Sequence, residues 1–239
     1  MKKADSFGQA LVDCYQNGKS IMMVERSDGY LDLDQPADYF KQYKDWPDME
    51  KKAIKYAKSP VLDVGCGAGR HSLYLQNKGM EVLGIDQSSL CVELAKRRGL
   101  KNCRWLDLKN ITSDLGMFRT ILMLGNNLGL LENMSRARVV LRKFSRITTP
   151  DGLIIGECVN PYKTEDSYHL EYQKQNRKRG KLSGELRLRI RYKNLFGPWF
   201  NYLFASPEEL EKILGNTGWK INQIIESPET MYIAVIGKD

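Results

Sequence analysis

The segment Val61-Leu62-Asp63-Val64-Gly65-Cys66-Gly67-Ala68-Gly69-Arg70-His71 constrains this chain more than any other stretch. A short apolar run carrying one acid meets three alternate glycines, and a helical pattern follows. Without Cβ atoms, a turn through 65, 67 and 69 can take positive φ and bring backbone N–H groups against a ligand. The N-terminus of the next helix adds a partial positive field there. Downstream, short apolar runs at 81–85, 102–106, 120–124 and 153–157 alternate with helical patterns over 70–78, 88–98 and 134–146. Such alternation predicts a parallel sheet covered on both faces, and 239 residues suit one large domain with an elaboration.

The flanks read differently. Residues 6–17 have the apolar spacing of a short helix, and 20–35 are irregular or extended around the turn signal Ser27-Asp28-Gly29. A helix is expected from Asp45 as N-cap, with Pro47 in its first turn, to about residue 58. Beyond 160 the alternation stops. Residues 162–181 are polar and basic. Glu185 to Tyr192 then alternates with period two: Leu186, Leu188, Ile190 and Tyr192 share one face, and Arg187, Arg189 and Arg191 the other. Gly197-Pro198 predicts a turn and 199–204 a hairpin partner. Ser206 with Glu209 forms a capping-box pattern for a further helix, and strands are expected at about 219–226 and 230–236. This division gives an N-terminal helical and extended cap (1–59) and a ligand-binding domain (60–239), with 160–204 inserted on the substrate side.

Charge is concentrated in that insertion. Between Glu171 and Lys193 nine cations face two acids, which accounts for +7 of a net charge of +8. Five cysteines without a CxxC spacing predict reduced thiols, and two histidines do not support a multi-histidine metal centre, so no metal is expected. No run reaches the roughly 18 apolar residues of a membrane span, and the opening residues lack the apolar stretch of a signal peptide. A cytoplasmic location without membrane contact is the expectation.

Two ligand classes use a strand–glycine–helix turn. Dinucleotide sites space their glycines as G-x-G-x-x-G so that a pyrophosphate meets the helix. Here the third glycine comes one residue early, position 70 is Arg, and Asp63 lies inside the strand. S-adenosylmethionine (SAM) has an ammonium and a carboxylate instead, which suit an acid and loop amides. Asp86, 21 residues past Gly65, closes the second strand where a carboxylate can accept from ribose hydroxyls, and Asp107 follows the third strand.

With these residues in place, the chain resembles the class I SAM-dependent methyltransferases, strongly over about 60–158 and moderately over 205–239. The Gly-Arg-His ending at His71 is similar to a subgroup that includes small-molecule and tellurite-resistance-type enzymes. The resemblance implies an α/β doubly wound, Rossmann-like seven-stranded sheet of order 3-2-1-4-5-7-6, strand 7 antiparallel; the hairpin inserted at 160–204 is read from its own residue pattern as a lid over the binding edge. The resemblance also implies SAM as cofactor and S-adenosylhomocysteine (SAH) as product. Asp63, Gly65, Gly67 and Gly69 carry over to the loop, Asp86 to the ribose, and Asp107 with Leu108 to the adenine. Cys66, His71, Gln87, Leu124 and Asn126 are expected beside them.

Methyl transfer from a sulfonium is an in-line displacement, so alignment and exclusion of water are the main demands. Leu124-Gly125-Asn126-Asn127 closes the fourth strand and lacks the Pro-Pro-aromatic signature of nucleobase amino methylation. Asn127 is a candidate to orient substrate, and His169 is the candidate base. Tyr39 and Phe40 are candidates to cover the cofactor. Tyr168, Arg187, Arg189, Trp199 and Tyr202 are candidates to line the acceptor site, the arginines suiting an anionic acceptor. The expected reaction is methylation of N, O or S on a small molecule, by a monomer or homodimer. The alternatives are an RNA or protein methyltransferase using the basic 171–193 stretch, and a SAM-binding protein without turnover.

Overall fold

The computed structural model describes residues 4–239. In chain order its principal elements are α1 (Ser6–Asn17), β1 (Met22–Arg26), β2 (Leu31–Asp34), α2 (Asp48–Ala53), β3 (Val61–Val64), α3 (Arg70–Asn77), β4 (Val82–Asp86) and α4 (Ser89–Arg97). There follow β5 (Cys103–Trp105), β6 (Phe118–Met123), α5 (Met134–Arg146), β7 (Thr148–Val159), α6 (Ser167–Lys178), β8 (Glu185–Tyr192), β9 (Leu195–Phe196), β10 (Phe200–Leu203), α7 (Pro207–Leu214), β11 (Trp219–Glu226) and β12 (Met231–Lys238). Among the described residues no helix is long and apolar enough to cross a membrane.

Seven strands form the main sheet in the order β5-β4-β3-β6-β7-β12-β11. The pairs β4–β5, β3–β4, β3–β6 and β6–β7 are parallel, whereas β12 runs antiparallel to β7 and to β11. Numbered along the chain, this is the expected 3-2-1-4-5-7-6 order. Period-two alternation sends successive side chains into two cores. Ile121 and Met123 join Phe144, Ile154 and Tyr232 under α5 and α7. Leu122 and Leu124 join Trp46, Leu75, Ile155 and Val235 under α2 and α3. Burial at this scale supplies about 25 cal/mol per Å² of apolar surface and holds the strand ends rigid.

The second sheet is the departure from expectation. It has the order β10-β8-β1-β2, with β9 pairing to β8 off that path, and all its pairs are antiparallel. The expected β8–β10 hairpin is present, and the stretch read as irregular or extended around Ser27 contributes two of its strands. β1 pairs with β8 through Met23↔Arg191, Val24↔Ile190 and Glu25↔Arg189, so segments more than 160 residues apart share one ladder. The helix placed at Asp45 begins later: Tyr43–Asp45 is a 3₁₀ turn, Pro47 occupies the N-cap, and the α-helix ends at Ala53 before another 3₁₀ turn. The capping box of Ser206 and Glu209 on α7 forms as its pattern predicts.

Candidate functional site

The glycine turn joins β3 to α3 at the carboxyl edge of the main sheet, where ligands of doubly wound folds bind. Gly65 has φ +72° and Gly67 φ +54°. A Cβ on Gly65 would lie 2.8 Å from Asn127 Nδ2, whereas one on Gly67 would meet only the Tyr39 ring, at 3.9 Å. The space a Cβ would take at Gly67 is thus bounded within 4 Å by Tyr39 alone. That is a cradle a side chain would fill. Tyr39 is held in turn by its phenol, which donates to Asp34 Oδ2 at 3.0 Å, and by the Phe7 ring edge-on at 5.3 Å. Phe40 stacks at 5.9 Å on Tyr15 of α1.

Two buried acids brace the turn. Asp86 accepts from Gly67 N at 2.9 Å with one oxygen and from Ser88 N at 2.8 Å with the other. Burial pushes its carboxyl up to about 6, against the pull of those two amides. Asp63 accepts from Ser72 Oγ at 2.6 Å, and burial raises it too, opposed by His71, Ser72 and Arg70. A buried carboxyl raised by burial gains most from a cation or from hydroxyl donors, so this donor set fits an ammonium and a ribose. Cys66 points away from the cradle, its sulfur 3.6 Å from Cys103 Sγ. Asn127 is a brace rather than a free carboxamide: its Nδ2 donates to Val64 O at 3.0 Å and Gly65 O at 2.9 Å.

Asp107 follows β5, and its carboxylate caps its own turn by accepting from Lys109 N at 2.9 Å, with Leu108 half-buried beside it. Gln87 is exposed, and its carbonyl accepts from Trp105 Nε1 at 2.8 Å. Leu124 is buried. Asn126 sits at φ 64°, and its Oδ1 is buried without a hydrogen-bond partner among the described residues.

Behind the turn, Arg70 and His71 of the Gly-Arg-His motif meet Glu50, a partner the motif does not reveal. Arg70 Nη2 grips both oxygens of Glu50, at 2.8 and 3.0 Å. His71 Nε2 reaches Glu50 Oε2 at 2.9 Å and stands edge-on to Trp46. Burial opposes ionisation of Glu50, yet the His71 hydrogen bond and the Arg70 charge outweigh it and hold the carboxyl below its ordinary range. Glu157, near the end of β7, is 1% exposed and accepts from Gly125 N at 2.6 Å. Burial first, then the Glu50 charge, pushes it up to about 7, against the Gly125 and Asn126 amides and Arg70. The available signal was an acid at the carboxyl end of an apolar strand, the same grammar as Asp86.

The acceptor-side candidates separate by face. β1 and β2 pair as Met22↔Asp34 and Val24↔Asp32, so Asp34 shares a face with Met22, and Leu33 shares the opposite face with Met23. Tyr202 lies toward the main sheet, its phenol donating to Asn126 O at 2.5 Å and its ring against Gly129. Arg189 lies on the opposite face, paired with both oxygens of Glu25 at 2.7 and 2.9 Å and covered by Trp199, 4.6 Å from the guanidinium. Arg191 reaches the same Glu25 at 3.3 Å, and Arg187 meets Asn201 at 3.2 Å. The expectation that Arg187, Arg189 and Trp199 line the acceptor site is corrected by this arrangement: period-two alternation that buries Tyr192 turns the arginines outward.

His169 is also displaced from its expected role. Its Nδ1 lies 2.8 Å from Arg26 Nη1, and its ring meets Tyr30 at 4.7 Å. Tyr30 is four residues from Asp34, roughly 13 Å along a strand, so His169 clamps α6 to the far end of the second sheet. Tyr168 is 70% exposed near the same end. A cavity of about 320 Å³ among Pro60, Val61, Glu81, Val82 and Phe118 opens where β3 and β4 begin, at the edge opposite the glycine turn.

Comparison with known proteins agrees with this geometry. Residues 61–152 match the family described as a methyltransferase domain. The putative methyltransferase YqeM of Bacillus subtilis is 25% identical over 115 residues, 46% of this chain and 47% of that protein. The 2-heptyl-1-hydroxyquinolin-4(1H)-one methyltransferase of Mycobacteroides abscessus is 38% identical over 68 residues, 26% of this chain and 30% of that one. The match thus spans about half the length of the first relative and less of the second. A crystal structure of a SAM-dependent methyltransferase from Bacteroides fragilis, in complex with SAH, superposes with a TM-score of 0.83 at 30% identity, covering 98% of this chain and 94% of that one. With a glycine cradle, bracing acids and strand order of this kind, and with that likeness along nearly its whole length, the chain belongs to the SAM-dependent methyltransferases.

Proposed function

We propose that this enzyme methylates a small molecule, with SAM held along the carboxyl edges of β3, β4 and β6. The loop amides and Asp63 would take the amino-acid end, Asp86 the ribose, and Asp107 with Leu108 the adenine side. SAM supplies a methyl group already activated by sulfonium charge. The chain's residues then have to bind, orient and exclude water. Tyr39 covers Gly67, and Tyr202 fastens the second sheet to the Asn126 turn. We read the 20–35 stretch of the cap and the 160–204 insertion as one roof, because β1 and β8 share a ladder.

The single observation that carries the small-molecule reading is that roof. A sheet whose inner face is fastened by Tyr202 and Tyr39 encloses the acceptor space, which suits a compact acceptor better than a polymer. The basic stretch that motivated an RNA or protein substrate is partly neutralised: Arg189 and Arg191 share Glu25, and Lys193 pairs with Asp13 at 2.5 Å. An anionic acceptor loses its support for the same reason. Five buried, free cysteines fit a reducing compartment and support a cytoplasmic location.

The test is methyl-labelled SAM with a whole-cell extract. Label in an enzyme-dependent product other than SAM, in the fraction that passes a membrane retaining protein and RNA, supports this reading. Label confined to the retained fraction contradicts it.

A further inference from the structure

Two carboxyls from different sheets, Asp34 and Glu157, act on one phenol, that of Tyr202. Asp34 hangs from β2 and is one tyrosine length from the glycine turn, through the phenol of Tyr39. Glu157 comes from β7 and binds the Gly125 amide. Between them lies the Tyr202 phenol, which burial raises most and which the nearby Cys158, Glu157 and Asp34 raise further.

The side-chain oxygens named in this space are hydrogen-bond acceptors. The phenols of Tyr39 and Tyr202 already spend their protons on Asp34 and on Asn126 O. Asn126 Oδ1 is buried in the same turn without a donor among the described residues. Arg70, the nearest cation named in this cluster, has both oxygens of Glu50 and the Asp38 carbonyl as partners. A wall of acceptors with surplus negative charge selects a ligand with several N–H donors and a positive charge, and it disfavours phenolates and carboxylates.

We infer that the methyl acceptor is an amine, held as its ammonium by Asp34, Glu157 and the Asn126 carboxamide, with Glu157 as the base. The inference rests on the methyltransferase reading of this pocket. The ammonium gives one proton to the Glu157 carboxylate. The freed nitrogen lone pair forms the N–C bond as the methyl C–S bond breaks, and that bonding pair stays on sulfur. The product leaves as a methylated ammonium, and Glu157 returns its proton to solvent. The groups that face Glu157 are Glu50, Arg70, Cys158, Tyr202 and the amides of Gly125 and Asn126. Its position near neutrality lets it both take and release the proton.

The test needs no knowledge of the acceptor. Sinefungin is a SAM analogue in which a carbon bearing a primary amine replaces the methylsulfonium, so its ammonium projects toward the acceptor site. Calorimetry should show the wild type binding sinefungin about tenfold or more tighter than SAH. In Glu157→Gln that preference should fall at least about fivefold, with SAH affinity kept within about twofold. Asp34→Asn should fall in the same direction. In the wild type the preference should shrink from about pH 8 to about pH 6 as Glu157 protonates, because an alkyl amine stays charged throughout. Should Glu157→Gln disturb the Gly125 turn and lose SAH, Asp34→Asn and the wild-type pH series decide. Equal affinity of the wild type for the two ligands overturns the inference, as does a preference untouched by both substitutions and by pH. Failure of the wild type to bind SAH at all would instead remove the cofactor reading.

Discussion

Two sets of ionisable residues look equally functional on paper: the acids Asp63 and Asp86 in the main sheet, and the arginines 187, 189 and 191 in the second. Their fates differ. Each acid lies at or near the carboxyl end of an apolar strand, Asp86 bonded to the glycine turn and Asp63 to Ser72 of the following helix, with its carboxyl raised by burial. The arginines alternate along a strand whose other face is buried, and they turn outward to Glu25, Asn201 and Trp199. Position at the carboxyl edge of a parallel sheet therefore decides whether a charged group is buried and braced better than charge density does. Residues on an alternating strand declare their face only when the partner strands are known.

That contrast can be broken from either side, and the largest effect belongs to the main sheet. Gly65→Val should lower SAH affinity by about 100-fold or more, since φ +72° is strained for a β-branched residue and the new Cβ would meet Asn127. Calorimetric affinity near the wild-type value would sever the glycine turn from the ligand.

Glu157 gives a stability readout. Its carboxyl is raised in the folded state, from an ordinary 4.5 to about 7. The folded protein thus binds more protons across that window, and stability falls as pH rises through it. Glu157→Gln removes that loss and still accepts from Gly125. It should exceed the wild type by about 2 to 4 kcal/mol above pH ~7 and lose the advantage as pH falls toward ~4.5, by denaturant melts. A pH-independent difference would contradict the burial argument.

Tyr202→Phe removes the bond to Asn126 O and should cost about 1 kcal/mol in the same melts. A larger share of lost turnover than of lost stability would sharpen the view of the second sheet as a roof. The smallest effect should be Arg187→Ala, exposed on the outer face: SAH affinity and labelled-methyl turnover should both stay at the wild-type level. A several-fold loss would return the arginines to the acceptor site.

The main sheet was legible from residue order because β3 to β7 are local apolar runs separated by helices, so neighbouring strands follow from short connections. The glycines, Asp63 and Asp86 were legible for the same reason. The ladder between β1 and β8 was not, since a pairing across more than 160 residues leaves no local periodicity around Ser27. His169 misled because a histidine beside a basic segment looks catalytic until Arg26 and Tyr30 are seen to hold it. Glu157 went unread although it ends an apolar run as Asp86 does, and Asp34 because its strand belongs to a second sheet closed by a distant segment. Asn127 read as a substrate contact, yet its amide is spent on Val64 and Gly65 carbonyls.

The most direct measurement is a calorimetric titration of SAH into the wild type and Gly67→Arg. A side chain at Gly67 would meet only Tyr39 within 4 Å of its Cβ, so an arginine there fills the cradle. Saturable binding by the wild type and none by a variant with an unchanged melting curve is the expected result. A variant that binds SAH as tightly as the wild type, or a wild type that does not bind it, would contradict the assignment of this turn to the cofactor.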